Sequence, residues 1–531
     1  MTTAPRPPVA RRELLTVLAL TLLFALVLTT WAMVTPPLHG PDELANIDAA
    51  IHLATGQPWP AAGDLHYVQG LLAQNVPALP PPAATRVSFG EVIGDGTLND
   101  LVNPMSQHPP TYFLVQAVVA HLLDFTTRRW DVVVLAMRLV DVLVVLPVPL
   151  LVWAAVRRAT RSPRTAVAAT VTLFAVPQLA QLGASVSVWA PVITAGALAT
   201  WLMVRLLTGD RSWWTVLALG GALAVGTALM AGGLLAVPAA VVAVLAPTRG
   251  VGPDRRGRVL RALVTVAVPA ATTGWWYVLQ TVRTGTPQPD AFPATTQPWP
   301  ADESPAPTQF AGAFWNGLSE TFWGRFGRYE YPLSAVVVDT FTVVALAAVV
   351  WAASRRGGHR RTMAVAGVFP ATALLVVLVR DWATYSGHLG VTVNQGRFLF
   401  PAIAALLVLQ AVAWRALVTT PSTRTRLARV TLVVSGLVAL GGLGLLYAGA
   451  YEQFRFPPSA AGLALLGTTV PYGLHPVALL LVLTAVVGAT AAVLTWRTVG
   501  SAGTDSRADR PRDAVPLDSP PTDAPTQRKH P

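Results

Sequence analysis

The stretch LLTVLALTLLFALVLTTWAMV, Leu14 to Val34, runs directly into TPPLHGPDE, Thr35 to Glu43. About 20 uncharged, mostly apolar residues are what a helix needs to cross the hydrocarbon core, where every backbone polar group must be satisfied within the segment. Arg6, Arg11 and Arg12 precede it, no small-residue cleavage site follows, and many more such runs come after. The segment is therefore expected to be a retained anchor with its N-terminus inside, and not a cleaved signal. The two prolines and Gly40-Pro41 turn the chain at the far membrane surface and deliver two adjacent carboxylates there.

Further apolar runs fall near 132–156, 165–184, 190–208, 213–230, 231–247, 262–281, 333–353, 362–379, 398–419, 430–450 and 476–496, which makes about 12 spans. The arginine clusters 157/158/161/164, 249/255/256/258/261, 355/356/360/361 and 415/424/426/429 then all land on one side, as the positive-inside rule requires. Counting the short run Thr111 to Phe125 as a span would invert them, so it reads as an interfacial helix. The expected organisation is a cytoplasmic head (1–13), a polytopic domain (14–496) and a disordered cytoplasmic tail (497–531), with both termini inside. Outer loops are expected at about 35–131, 282–332, 380–397 and 451–475. No internal repeat is visible, which weighs against the common secondary-transporter folds.

Composition agrees. The 531 residues are 53% hydrophobic and 12% charged, where soluble domains carry about 25% charge. That excludes a soluble multidomain enzyme, and the absence of cysteine excludes a disulfide-stapled secreted domain. The net charge of +12 is no nucleic-acid footprint, because the arginines sit in short clusters between apolar runs and Lys529 is the sole lysine.

Four short motifs concentrate the chemistry on the outer side. The first outer loop is acidic, with Asp42, Glu43, Asp48, Asp64, Glu91, Asp95 and Asp100 against Arg86. Asp42 stands where an N-cap belongs, opening a helix from about Glu43 to Thr55 on which Asp48 and His52 share a face. The pair is either a cap with a dipole-complementing Glu43, or a base beside a lipid-linked substrate held at the interface. In QHPPTYF, Gln107 to Phe113, Tyr112 and Phe113 read as interface anchors, and His108 is a solvated loop histidine or a ligand and proton carrier. In FWGRFGRYEY, Phe322 to Tyr331, the aromatics read as a membrane belt, while Arg325 and Arg328 suit capture of a lipid phosphate. In NQGRFLFP, Asn394 to Pro401, Gly396 permits a close approach. Arg397 sits at a helix start, against the dipole, and so calls for an anionic partner.

In this order the motifs Gly-Pro-Asp42-Glu43, His108-Pro-Pro-x-Tyr112, Phe-Trp323-Gly-Arg325-Phe-Gly and Gln395-Gly-Arg397-Phe-x-x-Pro401 resemble the DUF2142 family of bacterial membrane proteins, across most of residues 30 to 410. That family resembles a distant member of the GT-C glycosyltransferases, integral membrane enzymes that take a sugar from a polyprenyl-phosphate or polyprenyl-diphosphate carrier on the outer face. The resemblance implies an all-α integral membrane protein of GT-C-like architecture. It implies Asp42, with Glu43, as the catalytic acidic motif, Asp42 deprotonating the acceptor hydroxyl with inversion at the anomeric carbon. Arg397 with Arg325 would hold the carrier phosphate, and Arg328, Gln395, His108 and Tyr112 complete the substrate-binding set. The partners implied are a polyprenyl-phosphate-linked sugar donor, an envelope glycan or lipid acceptor and membrane lipid. Where an Asn-x-Asp-like element would follow the 165–184 span, this chain reads SVSVWA, Ser185 to Ala190. No metal ligand set is assigned, and a divalent cation stays open.

No nucleotide-binding motif occupies a cytoplasmic loop, so a nucleotide-sugar donor is not expected. The competing readings are a flippase or transporter of a lipid-linked glycan, and a non-catalytic scaffold in envelope assembly. A transporter should place charge deep in its spans. Arg138 and Asp141, three apart in the 132–156 span, are the one such candidate pair, and a structural role is expected for them.

Overall fold

The computed structural model describes residues 9–75, 79–246, 254–289, 297–300, 302–387 and 395–501. Arg6, Arg249, His388, Asn394 and the tail beyond 501 lie outside them. The chain is a helical, multi-pass membrane protein. Among the described residues nine helices are long and apolar enough to cross a bilayer.

The N-terminal half contains α1 (Arg11–Val34), α2 (Glu43–Ala54), α3 (Thr111–Leu122), α4 (Trp130–Val145), α5 (Val148–Thr160), α6 (Trp189–Leu207) and α7 (Trp213–Leu229). After it come α8 (Arg255–Thr284), α9 (Pro307–Trp323), two long helices at Ala335–Ser354 and His359–Gly387, and α10 (Ile403–Leu417). Two more, Pro421–Tyr451 and Leu474–Gly500, close the bundle.

The twelve apolar runs divide unequally. Besides the nine long helices there is a bent pair, Pro163–Ala175 with Pro177–Gly183, turned by 73°. Pro177 explains the bend: it has no N–H to continue the ladder, and its ring drives Val176 out of the helical region to φ −120°, ψ 74°. The runs 213–230 and 231–247 form apolar helices of 10–17 residues, Trp213–Leu229 and Ala231–Leu245. Seventeen residues reach only about 25 Å, short of the hydrocarbon core. α3 has 12 residues, too few to span, as its interfacial reading requires.

Burial separates core from rim. The apolar window of Gly396–Leu417 is 78% buried and that of α6 is 67%, against 17% for Ala335–Ser354, Pro421–Tyr451 and Leu474–Gly500. The last three therefore present apolar faces such as Val350, Leu437 and Leu440 outward. Two glycines set the centre. A Cβ on Gly196 of α6 would stand 1.9 Å from the Pro401 carbonyl oxygen, and one on Gly396 would stand 2.3 Å from the Phe322 backbone nitrogen. The turn carrying Arg397 is thus clamped between α6 and α9.

The long segment between α1 and α4 is folded onto the bundle. Its strands β1 (His66–Val68) and β2 (Leu98–Val102) pair antiparallel. Asp48 of α2 is buried and accepts the Val68 N–H (2.9 Å) and the Asn103 side-chain amide (2.8 Å). Burial pushes its carboxyl up to about 7. His52, on the same helix, bonds instead to the Pro58 carbonyl at 2.9 Å. Arg86 closes the loop through a buried ion pair with Asp131 at 2.7 Å.

Gly196→Ala is expected to cost about 1–3 kcal/mol by overpacking α6 against Pro401, read as a lowered thermal midpoint in detergent. Gly221→Ala in α7, where an added Cβ meets nothing within 4 Å, is the control. Equal midpoints for the two variants would contradict the clamp.

Candidate functional site

Asp42 and Glu43 are neighbours in sequence and turn opposite ways. Glu43 is fully buried. Arg138 donates to it through Nε (2.6 Å) and Nη2 (2.6 Å), and the backbone N–H groups of Gly40 (3.1 Å) and Val186 (3.1 Å) complete its shell. Burial opposes its ionisation. The Arg138 charge and these hydrogen bonds outweigh that and hold the carboxyl below its ordinary range. Arg138 also donates to the carbonyls of Ala32 (2.7 Å), Thr35 (2.7 Å) and Pro36 (2.9 Å), closing the C-terminus of α1.

Arg138 and Asp141 do not pair with each other. Asp141 accepts the Tyr112 hydroxyl (2.6 Å), the Ser187 N–H (2.9 Å) and the Gln116 amide (3.2 Å). Tyr112 and Phe113 are therefore buried inside the protein and are not lipid-facing anchors: a phenol bonded to an internal carboxylate has no reason to face headgroups. The SVSVWA segment, where a carboxylate is missing, is bound through its backbone. The N–H groups of Val186, Ser187 and Val188 go to Glu43, Asp141 and Asn46 (3.4 Å) respectively. Both intramembrane charges are spent on architecture.

Asp42 is different. It occupies the N-cap position of α2 but at φ 54°, ψ 15°, and its side chain makes no capping bond. The cap reading fails because the left-handed backbone turns the carboxylate away from the helix. The carboxylate is about a third exposed and meets Arg397, Oδ2 to Nη1 at 2.5 Å. The contact is an ion pair and not an aligned hydrogen bond, since Nη1 and Nε of Arg397 are both buried without a hydrogen-bond acceptor. The guanidinium also lies over Trp189 (5.6 Å to the centroid) and Phe398 (6.0 Å).

Two further groups face this pair. His108 is buried, in the field of Asp42 and Arg397, and its Nδ1 has no partner. Taking the Gln107 amide nitrogen as donor to Nε2 (3.4 Å) leaves the proton on Nδ1. Tyr329 feels the same two charges, and its hydroxyl donates to the Gln395 side chain at 3.0 Å. Burial pushes that phenol up to about 12.

Arg325 and Arg328 are committed to protein partners. Arg325 donates to the Tyr329 carbonyl (2.7 Å) and approaches Glu320 (3.4 Å). Arg328 donates to Asn75 (2.6 Å) and reaches His39 (3.3 Å). Trp323 bonds to Thr342 at 2.8 Å and so belongs to packing between α9 and the next helix. The structure thus brings together Asp42, His108, Gln395 and Arg397, and holds Glu43, Tyr112, Arg325 and Arg328 in other bonds. Trp189 and Tyr329 join the site without having been singled out. Among the described residues no three His, Asp or Glu side chains converge in a way that could hold a metal ion.

Arg138→Met should cost about 3–5 kcal/mol by leaving Glu43 charged and buried, seen as a large fall in thermal midpoint. Burial also holds His108 down to about 4, against an ordinary 6.5. As pH falls the unfolded chain takes up this proton first. The stability it supports is full above 6.5 and is lost between about 6.5 and 4, at most about 3 kcal/mol. The difference in stability between wild type and His108→Gln should shrink across that window, and a pH-independent difference would contradict the burial.

Residues 107–276, about a third of the chain, match the sequence family described as dolichyl-phosphate-mannose-protein mannosyltransferase. That segment contains His108, Arg138, Asp141 and Trp189 but neither Asp42 nor Arg397. No curated protein matches the chain. Among solved structures it is similar to ArnT from Cupriavidus metallidurans bound to undecaprenyl phosphate, at 16% identity and a TM-score of 0.44, over 91% of this chain and 77% of that one. The Archaeoglobus fulgidus oligosaccharyltransferase in complex with Zn and sulfate is also similar, at 15% identity and a TM-score of 0.38, over 83% of this chain and 54% of that one.

Proposed function

We propose that this chain is a GT-C-type membrane glycosyltransferase, of the kind represented by the DUF2142 proteins. It takes a sugar from a polyprenyl-phosphate carrier at the outer face of the cytoplasmic membrane and works in envelope glycan or glycoconjugate assembly. The observation that carries the reading is the Asp42–Arg397 contact: an exposed carboxylate against a buried guanidinium that keeps two N–H groups without acceptors. The motif order and the family match over 107–276 support it. Both termini are then cytoplasmic.

A phosphate oxygen arriving at Nη1, where the Asp42 carboxylate now stands, takes over Asp42's role as counter-charge. Asp42 is released as general base. Its carboxylate takes the proton of the acceptor hydroxyl while the acceptor oxygen attacks the anomeric carbon from the face opposite the phosphate. The bond from that carbon to the phosphate oxygen breaks, its electron pair leaves with the polyprenyl phosphate, and the anomeric configuration inverts. Arg397 stabilises the charge growing on the leaving oxygen in a buried site, where such interactions are strong. His108 Nδ1 donates to the same substrate, and Gln395 with Tyr329 holds the turn in front of Arg397. Glu43 is a positioning residue, since all its bonding capacity goes to Arg138 and two backbone N–H groups. Arg325, Arg328 and Tyr112 fix the walls.

The test is transfer by purified protein in lipid, from a panel of radiolabelled polyprenyl-phosphate sugars to cell-envelope acceptor. Asp42→Asn is expected to lower kcat by about 10²–10⁴-fold with carrier binding retained. Arg397→Ala should weaken carrier binding as well as transfer. Unchanged transfer in Asp42→Asn would remove the base assignment. Carrier binding without transfer from any donor by wild type would move the protein to the flippase or scaffold class.

A further inference from the structure

A second cationic site lies at the opposite end of the bundle. α6 begins at Trp189, under Arg397, and its 19 residues carry the chain about 28 Å away, a bilayer's hydrocarbon thickness, to Leu207. Just beyond it stands Arg211. Its Nη1 and Nη2 donate to the carbonyls of Val244 (2.8 Å) and Ala246 (2.5 Å), while its Nε is buried without a partner. The charges of Arg258, Arg261 and Arg361 all bear on it. Arg261 lies over the Trp213 ring at 5.1 Å, and its Nη1 is also buried without a partner.

The nearby carboxylates are used elsewhere. Asp210 pairs with Arg205 and, at 3.8 Å, with Arg158. Asp254 caps α8 by accepting the Gly257 N–H at 2.8 Å. Among the described residues, no carboxylate forms an ion pair with Arg211, Arg261 or Arg361. Arginines that merely snorkel keep their nitrogens in bulk headgroups and water. Here Arg211 Nε and Arg261 Nη1 have no hydrogen-bond acceptor within the protein, so the cluster keeps donor capacity for an incoming anion.

The surroundings indicate what carries that acceptor. Trp214 is 82% exposed and Leu263 is 62% exposed, with Leu260 and Leu217 also exposed beside them on α8 and α7. An anion in this cluster would have apolar surface alongside it, which suits an amphiphile and not a free ion. Basic pockets between helices on the cytoplasmic side of a membrane suit such headgroups. We propose that Arg211, Arg258, Arg261 and Arg361 form a binding site for the phosphate of one anionic phospholipid in the leaflet opposite the candidate active site, its acyl chains lying along Trp214, Leu260 and Leu263. The site is separate from Arg397 and does not depend on the glycosyltransferase reading.

The experiment is native mass spectrometry of the full chain in detergent, titrated with dioleoyl phosphatidylglycerol, dioleoyl phosphatidylcholine or inorganic phosphate. Wild type should bind one phosphatidylglycerol at least 10-fold more tightly than phosphatidylcholine. The Arg261→Ala/Arg361→Gln double variant should lose that preference, while Arg397→Ala keeps it. Arg361 is exposed, so Arg361→Gln alone reports a several-fold weakening if the double variant does not fold. Equal phosphatidylglycerol affinity in wild type and variants would overturn the proposal. Competition by inorganic phosphate at matched concentration would overturn the lipid and leave a free-anion site.

Discussion

Everything at the Asp42 end of the bundle hangs on one buried ion pair, Glu43 with Arg138. Two charges taken out of water each cost several kcal/mol, and their attraction repays that only when the remaining donors and acceptors are filled. Here they are. The guanidinium serves both Glu43 oxygens and three carbonyls at the end of α1, and the carboxylate takes two backbone N–H groups in addition. One contact therefore joins the end of α1, the start of α2, the middle of α4 and the segment after the 73° bend. Substituting apolar groups would lose those joints along with the charges.

Asp42 inherits its position from that pair. A non-glycine residue at φ 54° is uncommon and persists where its surroundings over-determine it. Glu43, one residue on, is locked to α4, and the Asp42 carbonyl accepts both the backbone and the side-chain N–H groups of Asn46, at 3.1 and 2.8 Å. With the backbone held at both sides, the Asp42 side chain faces Arg397 and cannot serve α2. Two adjacent carboxylates thus divide the labour: one is saturated and structural, the other open to incoming groups.

Much of this was legible in the sequence, and the rest was not for definable reasons. Long uncharged runs and arginine clusters mark the helices because a bilayer tolerates little else. The demand that Arg397 find an anion followed from a cation at a helix start, and the need for a close approach at Gly396 followed from its missing side chain. The sequence could not say that the approaching backbone was α9, or that the anion lay 355 positions earlier at Asp42. Arg138 and Asp141 looked like mutual partners because they are three apart on one helix, yet each finds better company on another element. Helical spacing reports which side chains share a face. It is silent on what packs against that face, and the same gap hid Trp189 and Tyr329.

The pairing of Arg397 with Asp42 bears on why a carrier phosphate could enter such a buried place. A guanidinium there stays charged, and without a counter-ion its burial would be expensive. Asp42 supplies that counter-charge while itself remaining about a third exposed. On the proposed reading, a singly charged phosphodiester replaces one anion by another. The buried guanidinium keeps one negative partner throughout, and the displaced carboxylate moves toward water, where its desolvation cost is small. The gain comes from replacing the misaligned Asp42 contact at Nη1 by an aligned, charge-assisted hydrogen bond. Binding and base release are then a single exchange, and the geometry that makes the resting ion pair imperfect is what lets the substrate displace it.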